Sequence, residues 1–171
     1  MTSEFIDAYS DDQIYLDVLE GLVNAHPTAA TVPDSIRYSS FSRLWAVMMV
    51  GGIECMIKEW ASGRALLADI YSYFEQGPNN ERLARLEDAF RIRGLPVDPA
   101  AMQDYLAIKY IRNAYIHAEW NEPQRAFAVS RGFPANLMHF DEHHFKRMQN
   151  CYMHVMNNLG MAKAFESLLA R

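Results

Sequence analysis

The stretch DPAAMQDYLAIKYIRNAYIHAEW, residues 98–120, decides the fold prediction for this chain. Asp98 followed by Pro99 marks a helix start, because Asp accepts a hydrogen bond from a free backbone N–H and Pro suits the first helical position. From there the pattern predicts a helix to about Ala118. At about 100° per residue, one apolar arc of this helix is formed by Tyr105, Ile108, Ile111, Tyr115 and Ile116. The arc predicts a helix packed in a core.

One charged residue, Arg112, falls in the middle of this apolar arc. A guanidinium group is not left unpaired in a core, so it requires a carboxylate, a phosphate or a subunit interface. Glu54 is the natural carboxylate, since it lies in the long apolar helix predicted from about Ser35 to Ala61. A structural ion pair between Arg112 and Glu54 is therefore one interpretation. A functional role for Arg112 is the other, and the two can coexist.

His117 and Asn113 are the polar residues that accompany Arg112. His117 is about 140° round an ideal helix from Arg112, so these two side chains do not share a face. Asn113 and His117 do share one, at i and i+4, which places the amide to orient the imidazole. Two geometries let Arg112 and His117 meet at one phosphate. In the first, the helix ends or kinks near His117, and Pro123 is close enough to allow this. In the second, two copies of the helix face each other, which predicts a homodimer.

These side chains suit cleavage of RNA. His is the usual general acid or base near neutral pH. Arg is the usual bidentate hydrogen-bond donor to a phosphate, and it stabilises the charge that develops on the phosphate oxygens. A ribose 2′-hydroxyl deprotonated by His117 would attack the neighbouring phosphorus while Arg112 holds the phosphate oxygens. This cleavage requires neither a metal nor a cofactor.

The segment RNAYIH, residues 112–117, resembles the signature of the HEPN superfamily, which is Arg, then four to six residues, then His, with a polar residue such as Asn commonly first. Its setting is similar too, near the end of a helix in the second half of a small helical domain, with one long helix after it. Glu54 lies where an acidic residue often accompanies the motif. The resemblance covers the arrangement from about residue 35 to 169.

The resemblance implies a metal-independent endoribonuclease that acts as a homodimer, with the two motifs in one cleft. His117 would be the catalytic acid or base, Arg112 would bind the scissile phosphate or stabilise the transition state, and Asn113 would support the geometry. It further implies a toxin–antitoxin or phage-defence context, with a separate antitoxin protein as partner. Other superfamily members are non-catalytic modules. A helical protein-interaction module with Arg112 as a structural ion-pair residue is therefore the alternative.

The rest of the sequence predicts further helices and no sheet. Ser10 and Gln13 resemble a capping box that opens a helix to about Ala25. The other predicted helices are 35–61, 64–76, one capped by Asn79 or Asn80 that ends at about Arg93, and one capped by Asp141 that ends at about Leu169. Residues 119–140 are predicted as a long loop. We therefore expect one all-α domain, 1–171, a bundle of four or five main helices with its core at about 35–169.

Composition and charge limit the function classes. Of 171 residues, 50% are hydrophobic and 22% are charged, which excludes a disordered chain or a collagen. The net charge is −5, and residues 1–34 contain seven acidic residues and no Lys or Arg. RNA contacts must therefore come from a few placed side chains. The candidates are Arg125 and Arg131 beside the predicted loop and Trp120, which would stack on an unpaired base. The acidic segment 1–34 is either a partner-binding arm or a solvated first helix.

A third interpretation is a metal site at the start of the last helix. His139 and His143 have the i, i+4 spacing of helical zinc ligands, and Asp141, Glu142 and His144 lie beside them. If Asp141 caps the helix, however, His139 lies outside it. A polar first turn with acids at the positive end of the helix dipole fits better, so no metal site is predicted.

The N-terminal sequence, the apolar runs and the cysteines predict the localisation. The acidic N-terminus lacks the basic region of a signal peptide, and the longest apolar run, residues 44–57, is shorter than the about 20 residues of a membrane span. Cys55 and Cys151 are too few for a disulfide framework and lie in apolar, helix-like surroundings. The sequence therefore predicts a cytoplasmic protein with buried thiols and no membrane association.

Overall fold

The computed structural model describes residues 33–169, together with residues 7, 8, 10–12, 14, 15, 17, 18 and 21. From residue 33 onward its helices are α1 (Asp34–Ala61), α2 (Ala68–Tyr71), α3 (Asn79–Ile92), α4 (Pro99–His117), α5 (Glu122–Ser130) and α6 (Glu142–Leu169). Two 3-10 turns, Ala65–Leu67 and Ser72–Phe74, flank α2. The described residues contain no strand, so the predicted all-α helical bundle is confirmed.

The long helices α1, α4 and α6 pack against one another and form the centre of the bundle. Helices α1 and α6 run parallel, since the Phe41 and Phe145 rings meet near their starts and Arg64, just after α1, bonds to Glu166. Helix α4 runs antiparallel to α6. The largest fully buried apolar side chains between the helices include Met49, Ile53, Leu83, Leu86, Phe90, Met102 and Tyr105.

Helix α1 has 28 residues, twice the length of the apolar run that the sequence singles out. Among the described helices it is long and apolar enough to cross a membrane by length and composition. Half of its most apolar window is buried inside the bundle. In this structure the buried side of α1 packs against α4 and α6, as a core helix does.

Two predicted helix caps are confirmed. The Asp98 carboxylate accepts a hydrogen bond from the Ala100 N–H at 2.8 Å, with Pro in the first turn as predicted. The Asp141 carboxylate accepts one from the His144 N–H at 3.0 Å. Both caps use a side chain and a backbone group a few residues apart, so the local sequence is enough to predict them.

Two other predicted starts are wrong. Helix α3 begins at Asn79 with Pro78 before it, and no side chain caps it. Asp7 and Ala8 are already helical, so Ser10 lies within a helical stretch and does not start one. The predicted helix end at Ala25 lies outside the described residues.

Two segments between the long helices also differ from prediction. Residues 64–76 are not one helix, because Asp69 and Ser72 bond to nearby backbone groups: the Asp69 carboxylate accepts from Ile70 N–H at 2.9 Å, and the Ser72 hydroxyl donates to Asp69 O at 2.6 Å. Residues 119–140 are not all loop, since they contain α5. Pro123 lies in the first turn of α5, where its missing N–H costs nothing.

Candidate functional site

Arg112 lies on the side of α4 that faces α1, and the predicted ion pair with Glu54 is confirmed. The distance from Arg112 Nη2 to Glu54 Oε2 is 3.1 Å. The two side chains are 21% and 27% exposed, so the pair is largely buried but open at one edge. Arg112 Nε is buried without a hydrogen-bond partner among the described residues. The guanidinium is therefore held by one carboxylate and has donor capacity left.

The ion pair belongs to a larger buried cluster, which we call the Glu54 cluster (Glu54, Tyr73, Lys109 and Arg112). Lys109 Nζ lies 2.8 Å from Glu54 Oε1, and the Lys109 side chain is 2% exposed. The Tyr73 hydroxyl donates to the same Glu54 oxygen at 2.9 Å and accepts from Lys109 Nζ. One carboxylate oxygen is thus bound by Lys109 and Tyr73, and the other by Arg112.

Sequence reasoning missed Lys109 and Tyr73. A signal for Lys109 exists, because Tyr105, Ile108, Lys109 and Arg112 have the i, i+3, i+4, i+7 spacing of one helix face. Tyr73 comes from the short turn Ser72–Phe74 and meets α1 and α4 only in the folded chain. Its local sequence carries no such signal.

The pKa values in the Glu54 cluster follow from burial and charge. Burial alone would raise the pKa of Glu54, but the charge and hydrogen bond of Lys109, with the charge of Arg112, lower it below its ordinary value of 4.5. Burial lowers the pKa of Lys109, and the nearby Glu54 carboxylate opposes this. Burial and the same carboxylate raise the pKa of Tyr73. Glu54 is therefore a carboxylate at neutral pH and the anchor of the cluster.

Acid should destabilise the protein partly through Glu54. A carboxyl whose pKa is lower in the folded state than in the unfolded state stabilises the fold above the unfolded value, and this contribution is lost as the pH falls through the folded value. Because the pKa of Glu54 lies below 4.5, the free energy of unfolding is expected to decrease from about pH 5 downward. Urea unfolding across this range should show a shallower decrease for Glu54→Gln. Equal pH slopes for the variant and the wild type would contradict this.

His117 is the last residue of α4 and is exposed. The next residue, Ala118, has φ 53°, a left-handed conformation that turns the chain out of the helix. Helix α4 thus ends directly after the histidine, as the first predicted geometry requires. Arg112 and His117 both lie within α4, about 140° apart around an ideal helix, so this ending does not by itself bring the two side chains to one phosphate. No hydrogen bond joins His117 to the half-buried Asn113 within the described part of the chain. The expected orienting contact is therefore absent from this structure.

The apolar arc predicted on α4 is only partly correct. Tyr105, Ile108 and Ile111 are fully buried, whereas Tyr115 and Ile116 are 42% and 50% exposed. The neighbouring helices do not cover the last turn of α4. An exposed apolar pair therefore lies directly beside His117.

The structure brings two of the three candidate RNA contacts together. The Arg125 guanidinium lies 6.0 Å from the Trp120 ring centre, and both residues follow closely on His117. Arg131 is elsewhere, because its Nη2 lies 2.7 Å from the carboxylate of Asp104. Along α4, Asp104 and His117 are about 20 Å apart. Arg131 is thus held in the other half of the bundle.

A shallow depression lies at the C-terminal end of α4. Its volume is about 290 Å³, and it is lined by Ala114, Tyr115, Ala118, Glu119, Trp120 and Leu137. Arg43 of α1 stands beside it, with its guanidinium 5.7 Å from the Tyr115 ring centre and 2.7 Å from the carbonyl oxygen of Leu137. We call this feature the α4-end depression.

Of the histidines considered as metal ligands, His144 has structural contacts. His144 Nδ1 lies 2.6 Å from the Asp141 carboxylate and its Nε2 lies 3.1 Å from the carbonyl of Gly132. His139 precedes α6, as predicted. Within the described residues, no group of three or more His, Cys, Asp or Glu side chains is placed to hold a metal ion. His144 thus connects α6 to the segment that follows α5.

Both cysteines are free thiols, as predicted, and burial raises the pKa of each. Cys151 is buried and its Sγ lies 3.2 Å from the Ala101 carbonyl. Cys55 is only partly buried, so the prediction of a buried thiol is correct for Cys151 alone.

Comparison of the chain with known protein families, curated proteins and solved structures finds no match. The site must therefore be interpreted from its own residues.

Proposed function

We propose that this protein is a HEPN-type endoribonuclease that cleaves RNA without a metal ion, as a cytoplasmic homodimer. The observation that carries the proposal is the placement of two groups on the last turns of α4. Arg112 is anchored by Glu54 through Nη2, and its side chain remains 21% exposed. His117 ends the same helix, exposed to solvent and without a hydrogen-bond partner among the described residues.

The proposed reaction removes a proton from the ribose 2′-oxygen and delivers a proton to the leaving 5′-oxygen. His117 accepts the proton of the ribose 2′-hydroxyl, and the 2′-oxygen forms a bond to the adjacent phosphorus. The bond from phosphorus to the 5′-oxygen breaks, and that oxygen takes a proton from an imidazolium. Arg112 binds the phosphate oxygens while negative charge develops on them. The products carry a 2′,3′-cyclic phosphate and a 5′-hydroxyl.

The homodimer is supported by the exposed apolar side chain of Ile116 beside the motif, which is 50% exposed. His117 is about 7.5 Å further along the α4 axis than Arg112 and on another face. Pairing two α4 ends through Ile116 would leave the Tyr115 ring open and would bring the Arg112 of one copy towards the His117 of the other. Such a dimer buries an apolar side chain that a monomer leaves in water.

We expect the purified wild type to cleave RNA with EDTA present, and His117→Ala to lose at least about 100-fold of that activity. His117→Ala should still fold, because this side chain is exposed and makes no hydrogen bond among the described residues. Its matched control is His139→Ala, an exposed histidine before α6. The measurement is the cleavage rate with analysis of the product ends. Equal cleavage by wild type and His117→Ala would overturn the proposal.

The dimeric site is tested by mixing two inactive variants. Arg112→Ala and His117→Ala chains, unfolded together and refolded, should regain activity if the site takes Arg112 from one copy and His117 from the other. Without a shared site, the mixture stays inactive. That outcome would place the reaction within one chain and remove the support for the homodimer.

The second candidate function is a non-catalytic protein-interaction module. The Glu54 ion pair favours it, because it satisfies the charge of Arg112 without any ligand. Under the first candidate, the toxin–antitoxin or phage-defence context predicts a separate antitoxin as partner. The cleavage experiment separates the two candidates.

A further inference from the structure

We propose that the α4-end depression binds a guanine base of the RNA, next to the phosphate that is cleaved. This inference rests on the proposed ribonuclease activity and names the base that the same site selects. The depression begins at Ala114 and reaches Trp120, so His117 lies within the segment that forms it. A base held there would lie beside the reacting phosphate.

The size of the depression suits a single base. Its volume of about 290 Å³ lies just below the range of drug-sized ligand pockets, about 300 to 1,000 Å³, as expected for a site that takes one base. It is open to solvent on one side, so a base of a single-stranded RNA can enter while its ribose and phosphate remain outside. A folded helix of RNA does not present a base in this way.

Aromatic and cationic groups supply the stacking surface. Tyr115 and Trp120 line the depression, and Tyr115 is 42% exposed. Guanidinium groups flank both rings, Arg43 at 5.7 Å from the Tyr115 centre and Arg125 at 6.0 Å from the Trp120 centre. Such platforms bind the π-face of any base and strengthen binding near a phosphate. They explain binding of a base but do not select one.

Selection comes from Glu119. The Glu119 carboxylate lines the depression, is exposed, and has no hydrogen-bond or ion-pair partner among the described residues. A carboxylate is an acceptor on both oxygens. Guanine offers it two adjacent donors, the ring N1–H and the exocyclic amine, whereas adenine, cytosine and uracil each offer one donor group at that edge. A two-point contact therefore favours guanine.

Trp120 contributes its ring rather than its polar atom. Its Nε1–H is buried and has no acceptor within the described residues, so it is closed off from a base in the depression. The Glu119 carboxylate is therefore the group that matches the polar edge of guanine.

The direct test measures binding to the His117→Ala chain, which holds the depression but is not expected to cleave. The probes are 5′-GMP and 5′-AMP, which share the same phosphate and differ in the base. We expect 5′-GMP to bind at least about tenfold more tightly than 5′-AMP. It should also shift the indole N–H resonance of Trp120, which Trp120→Phe identifies by its loss.

Glu119→Gln provides the decisive comparison, since it keeps the size of the side chain and removes one of its two acceptors. The preference for 5′-GMP should fall to about twofold or less. In the matched control Glu59→Gln, an exposed glutamate on α1 away from the depression, the preference should persist. Equal binding of the two nucleotides to the His117→Ala chain, or an unchanged preference in Glu119→Gln, would overturn the proposal.

Cleavage separates this inference from the function on which it rests. A wild type that cuts RNA beside guanine, and a Glu119→Gln variant that cuts without that preference, would support both. Cleavage without any base preference would remove the guanine site and keep the ribonuclease. Selective binding of 5′-GMP by a protein that does not cleave RNA would overturn the ribonuclease proposal and keep the guanine site.

Discussion

Lys109→Met is expected to lower the free energy of unfolding by about 3–5 kcal/mol. Lys109 is 2% exposed, and its ammonium lies 2.8 Å from Glu54. Methionine fills similar space but brings no charge. The Glu54 carboxylate and the Tyr73 hydroxyl then keep their burial and lose the cation that both contact. Arg112 still holds the other Glu54 oxygen at 3.1 Å, but Oε1 loses its cation, and removing one partner of a buried ion pair leaves part of the desolvation cost of the other uncompensated.

Urea unfolding at neutral pH measures this loss, with an unchanged m-value as the sign that the unfolding transition is the same. The matched control is Lys58→Met, a lysine on the exposed side of α1, expected within about 0.5 kcal/mol of the wild type. The double variant Lys109→Met/Glu54→Gln should lose less than the sum of the two single changes, because both remove the same interaction. A Lys109→Met protein within about 1 kcal/mol of the wild type would show that the pair adds little net stability.

The Glu54 cluster also links stability to the candidate site. Glu54 presents one oxygen to Lys109 and Tyr73 and the other to Arg112. Because Lys109 and Tyr73 both bind its Oε1, the Glu54 carboxylate has a fixed orientation, and its Oε2 holds the Arg112 guanidinium in one place. The buried cluster therefore sets where the open edge of Arg112 lies.

What the sequence predicts well is local or periodic. Asp98 and Asp141 cap their helices through backbone groups two or three residues away, so a few residues contain all the information. Glu54 and Arg112 are charged residues in apolar helix faces, and each can be expected to need a partner of opposite charge. Pairing them requires only that their two helices pack together.

What the sequence does not predict depends on contacts between distant segments. Tyr73 reaches Glu54 only through the fold of a short turn, and Leu137 completes the α4-end depression from a loop far along the chain. The exposure of Tyr115 and Ile116 follows from where the neighbouring helices end, which periodicity does not contain. The start of α5 shows a further limit of sequence-based prediction. A proline can end a helix or lie in the first turn of one, and the local sequence does not show which role Pro123 has.

Asp104→Asn is expected to lower the free energy of unfolding by about 3–5 kcal/mol as well. The Asp104 side chain is 9% exposed and binds two guanidinium groups. Arg131 Nη2 lies 2.7 Å from Oδ1, and Arg147 Nε lies 2.6 Å from Oδ2. The carboxylate of α4 is thus the shared anchor for the end of α5 and for α6. Asparagine keeps the shape and loses the charge.

The loss should be large because the two arginines then face each other without an anion between them. Each of these arginine side chains is only 27% exposed, so water screens their repulsion poorly. Asp88→Asn is the control: Asp88 is 68% exposed and lies 3.8 Å from Arg91, so its ion pair contributes about 1 kcal/mol or less. Thermal and urea unfolding should place Asp104→Asn far below this control, and equal stabilities would contradict the role of Asp104.

The same experiment bears on the RNA contact predicted for Arg131. A guanidinium that holds the bundle together through Asp104 is already bound by a carboxylate and by the Ala100 carbonyl at 3.2 Å. An RNA phosphate would have to displace that carboxylate from Arg131. A large loss of stability in Asp104→Asn therefore argues that Arg131 serves the fold.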